Sequence, residues 1–214
     1  MNQRSESRVR ADQLAAGTIV ALCAVMSACA TSETSETAST PTPSGSSLTS
    51  TFARPVSPGP PQAGLKKPVT FDPCFRIGDD LVAEAGFSPI TRARSAGESA
   101  TDSMVVIGCS FYRVTTVDGE ETILAGLTVQ ATNTALSEVE TSSEFQDVVD
   151  KYEINGRRAV LYTLKALPET CTAAVDTDEG MLRMTYMPVA EDSVGPCDQV
   201  RTVAPILAAS LDSK

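Results

Sequence analysis

Four residues near the start of the chain, Met26-Ser27-Ala28-Cys29, decide the compartment in which everything after them folds. They close an apolar run and open a polar one. Arg4, Arg8 and Arg10 come first, and Leu14 to Val25 follow without a charge. That stretch has the length of the apolar segment of an export signal and falls short of the ~20 apolar residues that span a bilayer. Small Ser27 and Ala28 suit a peptidase cleft that takes an extended backbone with small side chains. The pattern reads as a lipobox, with Met26 where Leu is usual. Residues 1–28 are then a lipoprotein signal peptide, and Cys29 carries a diacylglycerol on its thiol. Each buried methylene contributes about 0.8 kcal/mol, so two chains hold a protein on a membrane. Ordinary secretion with cleavage near Ala28 or Ala30, and an uncleaved membrane anchor, are the alternatives. The leader has no twin-arginine pair, which favours export of an unfolded chain by the general secretory route.

Behind Cys29 the composition changes. Thr31 to about Lys67 is Ser, Thr, Pro, Gly and Ala with few large apolar residues. Such a stretch cannot bury enough surface to offset the entropy of ordering it, so residues 29–68 are expected to be a disordered tether. Its prolines, from Pro41 to Pro68, stiffen and extend it. Residues 69–214 then make one domain of ~145 residues, a usual domain size.

The chain has 17 basic and 27 acidic residues. The leader holds three of the basic ones and two of the acidic ones, leaving 14 against 25 and a net charge of −11. That argues against nucleic acid and against a peripheral hold on anionic lipid. Of six cysteines, Cys23 leaves with the leader and Cys29 takes lipid, so Cys74, Cys109, Cys171 and Cys197 remain. An even number in an exported domain reads as disulfides. Four cysteines allow three pairings, and the two shortest loops favour Cys74–Cys109 with Cys171–Cys197. Zinc is the competing reading, but there is no C-x-x-C and no histidine in the chain, so no metal site is expected.

Asp72-Pro73-Cys74 starts a helix, with Asp72 as cap and Pro73 in the first turn. Ile77, Leu81, Val82 and Ala85 recur at helical spacing, and Gly86 ends the element. Thr91 to Asp102 reads as a polar loop. Met104 to Tyr112 and Thr122 to Thr132 read as strands joined by a turn at Asp118-Gly119. Leu136 to Tyr152 is expected to be a second helix, lined by Val139, Phe145, Val148, Val149 and Tyr152, with capping-box spacing at Ser143 and Gln146. Asn155-Gly156 is a tight turn and Ala159 to Leu164 a strand. Cys171 to Val175 and Met181 to Tyr186 form a hairpin. Pro196-Cys197-Asp198 starts the last helix, striped by Val200, Val203, Ile206, Leu207 and Leu211 and kinked by Pro205. The order α-β-β-α-β-β-β-α with hairpin signals predicts an α+β fold, an antiparallel sheet of about five strands with helices packed on it. Both disulfides would staple the start of a helix to a strand.

The lipobox, the Ser/Thr/Pro tether, Asp72-Pro73-Cys74 before a helix, Cys109 with Phe111 two residues on, Gly156-Arg157-Arg158-Ala159 before a strand and Cys197 opening the last helix resemble a family of uncharacterised actinobacterial, mycobacterial and nocardial-type, secreted lipoproteins. The resemblance implies an extracytoplasmic location and two disulfides, and brings no catalytic residue with it. In element order alone the chain is also similar to the PsbP/Mog1-like α/β/α sandwich and to the extracellular sensor domains of mycobacterial receptor kinases, an analogy at the level of fold.

Without histidine, a Ser-His-Asp or Cys-His nucleophile is excluded. The acidic pairs Asp79-Asp80, Glu120-Glu121, Asp176 with Asp178-Glu179, and Glu191-Asp192 sit where acids favour turns and helix starts for backbone reasons. Met181 and Met187 share one face of a strand and Met184 takes the other; they are core, or they line a pocket for an irregular apolar ligand. The expectation is a non-enzymatic, lipid-anchored domain on the outer face of the cell membrane. It would need no cofactor and would bind an envelope protein or an apolar molecule in a cleft with few charged walls. A structural or accessory subunit with a flat apolar patch is the alternative, and a hydrolase working through carboxylates alone is a remote one.

Overall fold

Along Leu127-Thr128-Val129-Gln130-Ala131-Thr132 apolar and polar residues alternate, and the backbone period of two turns that alternation into two unlike faces. The same alternation in Cys109-Ser110-Phe111 and Leu182-Arg183-Met184-Thr185-Tyr186 builds a sheet that is apolar on one side and polar on the other. The computed structural model describes residues 52–213 apart from 143, 145, 191 and 192. The expected signal peptide, Cys29 and the expected tether up to residue 51 lie outside the described residues.

The elements are α1 (Pro73–Arg76), α2 (Asp79–Glu84), β1 (Ser88–Arg94), β2 (Ser99–Ala100), β3 (Val105–Val117), β4 (Glu120–Thr132), α3 (Leu136–Thr141), β5 (Gln146–Ile154), β6 (Arg157–Leu164), β7 (Leu167–Thr177), β8 (Gly180–Pro188) and α4 (Pro196–Ala208). The eight strands form one antiparallel sheet in the order β1-β3-β4-β8-β7-β6-β5, with β2 paired to the start of β3. Helices α1, α2 and α4 cover the apolar face, where Cys74, Ile77, Val82, Val200 and Leu207 meet Ile107, Phe111, Leu127, Leu161 and Met184. Helix α3, on the connection from β4 to the far-edge strand β5, packs on the other face, with Leu136 and Val139 on Val160, Tyr162, Ala174 and Met181. No helix among the described residues is long and apolar enough to cross a membrane.

The α+β class holds, while the sheet has eight strands rather than about five and a different order. Both expected turns have positive φ at their two central residues, Asp118-Gly119 and Asn155-Gly156, as two-residue hairpins of this hand require. Both disulfides form in the pairing of shortest loops: Cys74–Cys109 ties α1 to β3, and Cys171–Cys197 ties β7 to α4.

Three elements differ from expectation, each for an identifiable reason. The first helix is two, because Ile77 and Gly78 are extended and break it. The second helix stops at Thr141, and Gln146 to Ile154 is a strand; the Asn155-Gly156 hairpin needs a strand on both sides, and this constraint overrides the helical spacing of the apolar residues. Half of the supposed polar loop from Thr91 to Asp102 belongs to β1 and β2. Its inward position is taken by Arg92, whose guanidinium donates to the Cys74 and Ile77 carbonyls at 3.0 Å each, pairs with Asp79, and lies between the rings of Phe52 and Phe111.

The domain also begins earlier than Val69. Residues 52–68, drawn above into the tether, pack on it: Val56 and Leu65 touch the core, and Phe52 covers Arg92. The Gln62 side chain donates to the Val69 carbonyl and accepts from its N–H, acting like a strand partner. Further on, the Thr70 and Phe71 N–H groups donate to Glu179 in the β7–β8 turn. In this strap, residues 52–71, side chains of its own and of the following domain satisfy backbone groups.

Candidate functional site

Register carries the polar face of the sheet into rows. One row runs Ser110, Thr128, Thr185, Thr172, Tyr162 across five strands, a line of five hydroxyls. The next runs Gly108, Gln130, Arg183, Ala174, Val160, and beyond it lie Val106, Thr132 and Met181. Helix α3 stands on one side of this floor and the 95–97 loop with Met104 on the other. Between them is an open cleft of about 830 Å³.

Hydrogen bonds organise the floor. Thr172 and Thr185 share one at 2.9 Å, and Ser110 and Thr128 one at 3.4 Å. The Gln130 amide donates to Ser95 Oγ at 3.2 Å and to the Ala96 carbonyl at 3.3 Å, which turns its Oε1 towards Arg183 Nη2, 2.9 Å away. Gly108 makes that possible: a Cβ there would meet Gln130 Cγ at 2.7 Å and Ser95 Oγ at 2.9 Å. Arg183 Nε is buried without a partner. Burial pushes the Tyr162 phenol up, against the pull of Arg183 and Thr172 beside it, so the hydroxyl keeps its proton at neutral pH.

The walls are apolar at Met104, Val106, Val139, Leu164 and Met181. Glu138 is the one acid on the lining among the described residues, and its Oε1 accepts from the Ala135 N–H at 3.3 Å. The cleft has few charged walls, and its floor is polar where an apolar cleft was expected. The methionines divide: Met181 lies on the cleft wall under α3, Met187 is on the same face, and Met184 is buried in the opposite core.

The acidic residues do not gather in that cleft. Asp79 pairs with Arg92 and Asp176 with Arg158. A shallower hollow of about 500 Å³ holds Asp176, Asp178 and Glu179, but Glu179 is taken up by Thr70 and Phe71. Glu120 and Glu121 are exposed on the β3–β4 hairpin, and Glu191 and Asp192 lie outside the described residues. Arg157 and Arg158 pair with Asp212 and Asp176. No group of three or more acidic or cysteine side chains placed to hold a metal occurs among the described residues. Sequence reading missed Gln130, Tyr162, Thr172, Arg183 and Thr185. Their signal was present as alternation, which by itself reads as a solvent-facing side.

A family model described as Protein of unknown function (DUF3558) matches residues 24–209, a range that takes in Met26 to Cys29 as well as the whole sheet. No curated protein and no solved structure matches the chain.

Proposed function

The chain belongs to the DUF3558 family, whose function is unknown, and from that premise we propose that it is a non-enzymatic binding module held on the outer face of the cell membrane by lipid on Cys29. The observation that carries the reading is the cleft on the polar face of the sheet, walled by α3 and the 95–97 loop and sized for a small molecule or one segment of a partner. The leader pattern and the two disulfides support an oxidising, extracytoplasmic setting of the kind known for actinobacterial lipoproteins. With no histidine in the chain and a single acid on the cleft lining among the described residues, the walls offer contacts rather than proton transfer.

Ala96 is exposed on the cleft rim, so Ala96→Trp fills the mouth without entering the core. Titration of the full chain with a neutral, environment-sensitive apolar dye should give a saturable fluorescence rise that this substitution removes. A rise that Ala96→Trp leaves unchanged would place binding elsewhere and defeat the reading. A second reading rests on edge strand β5, where Val148 and Val149 are exposed: an accessory subunit that pairs with a partner along that edge.

A further inference from the structure

We infer that the cleft takes an amphiphile with an oxyanion head, a carboxylate or a phosphate, and that Arg183 receives that head; this rests on the cleft being the binding site. The chain has ten more acidic than basic residues, and Arg92, Arg94, Arg157, Arg158 and Arg201 each meet a carboxylate. Arg76 and Arg113 lie over aromatic rings instead. Arg183 has neither among the described residues. Its side-chain acceptors, the Gln130 amide oxygen at 2.9 Å and the Tyr162 hydroxyl, are both neutral and position the guanidinium without neutralising it. Gln130 is itself held by Ser95 and the Ala96 carbonyl across Gly108, so four residues from two strands and a loop fix the direction of one cation. A guanidinium carries five donors in a planar fork that fits two oxygens of one anion. Here the Nε donor is buried and unpartnered, and the Tyr162 hydroxyl beside the guanidinium keeps its proton and so adds no negative charge. The apolar walls at Val139, Leu164 and Met181 begin where the polar floor ends, which suits a tail attached to the head.

The test is calorimetric titration of the full chain with octanoate, octyl phosphate and octan-1-ol, three probes with one tail and different heads. The inference expects octanoate or octyl phosphate to bind at least about tenfold tighter than the alcohol, a difference of about 1.4 kcal/mol. Which of the two acids binds tighter identifies the head. Arg183→Gln should erase the preference while Arg183→Lys keeps most of it, and the wild-type comparison stands even if a variant folds poorly. Equal binding of all three probes would overturn the oxyanion inference and leave the cleft reading in place. Binding of none of them, together with loss of the dye signal, would overturn both.

Discussion

Arg92 shows how one residue can hide an element. It is fully buried, it closes the carbonyls at the end of α1, and two rings sandwich it. Replacing it with Met would leave two buried carbonyls and Asp79 without their donor. The expected loss is about 3 kcal/mol, read from urea unfolding, because a deserted buried partner costs its full desolvation. Tyr162 makes a second prediction at this scale. Its folded pKa is raised by burial above the ~10 of an unfolded chain, so the protonated form is favoured by folding. That contribution is complete below pH ~10 and is lost as pH rises through the folded value. Stability measured from pH 7 to 11 should therefore fall at the alkaline end, and Tyr162→Phe should flatten part of the fall. Tyr152, raised by the same cause, should contribute to the fall as well. The cleft residues were poorly legible beforehand for a related reason. Thr, Gln and Arg alternating with apolar residues announce a polar side, and only the placement of α3 and the 95–97 loop converts that side into a floor.

At the scale of elements, local chemistry was readable wherever it was stereochemically strict. Asp118-Gly119, Asn155-Gly156, Gly86 and the prolines at the starts of α1 and α4 all stand where their backbone preferences place them. Periodicity was weaker: Val148, Val149 and Tyr152 fit a helix and a strand equally well, and the hairpin after them decides. The order of strands was not legible, since nothing local tells β8 to insert between β4 and β7. The cysteines carried the most long-range information, with loops spanning 35 and 26 residues. In the chain-entropy account each bridge contributes about 3–4 kcal/mol. Cys171→Ser with Cys197→Ser should lower the unfolding free energy by about that amount and loosen α4 first, seen as faster amide exchange in residues 196–208. Unchanged stability and exchange would show that the helix is held by its apolar stripe alone.

For the whole molecule, the strap formed by residues 52–71 lies against the domain that follows it, and the proposal adds a lipid anchor at Cys29. The strap was read as tether because its own composition is poor in apolar residues; its partners, Arg92, Asn133 and Glu179, are distant in sequence. Cys29→Ser should abolish acyl modification in the intact mass of the membrane-extracted protein, and a lipid mass that survives the substitution would refute the lipobox reading. The claim at the centre, however, is the cleft, and the methionines divide its two sides. Met104 and Met181 line it, while Met184 is buried behind the sheet. The most direct measurement is a methionine-methyl NMR titration of the full chain with octanoate. The account predicts saturable shifts at Met104 and Met181 with Met184 unmoved, and shifts confined to Met184, or none at Met104 and Met181, would contradict it.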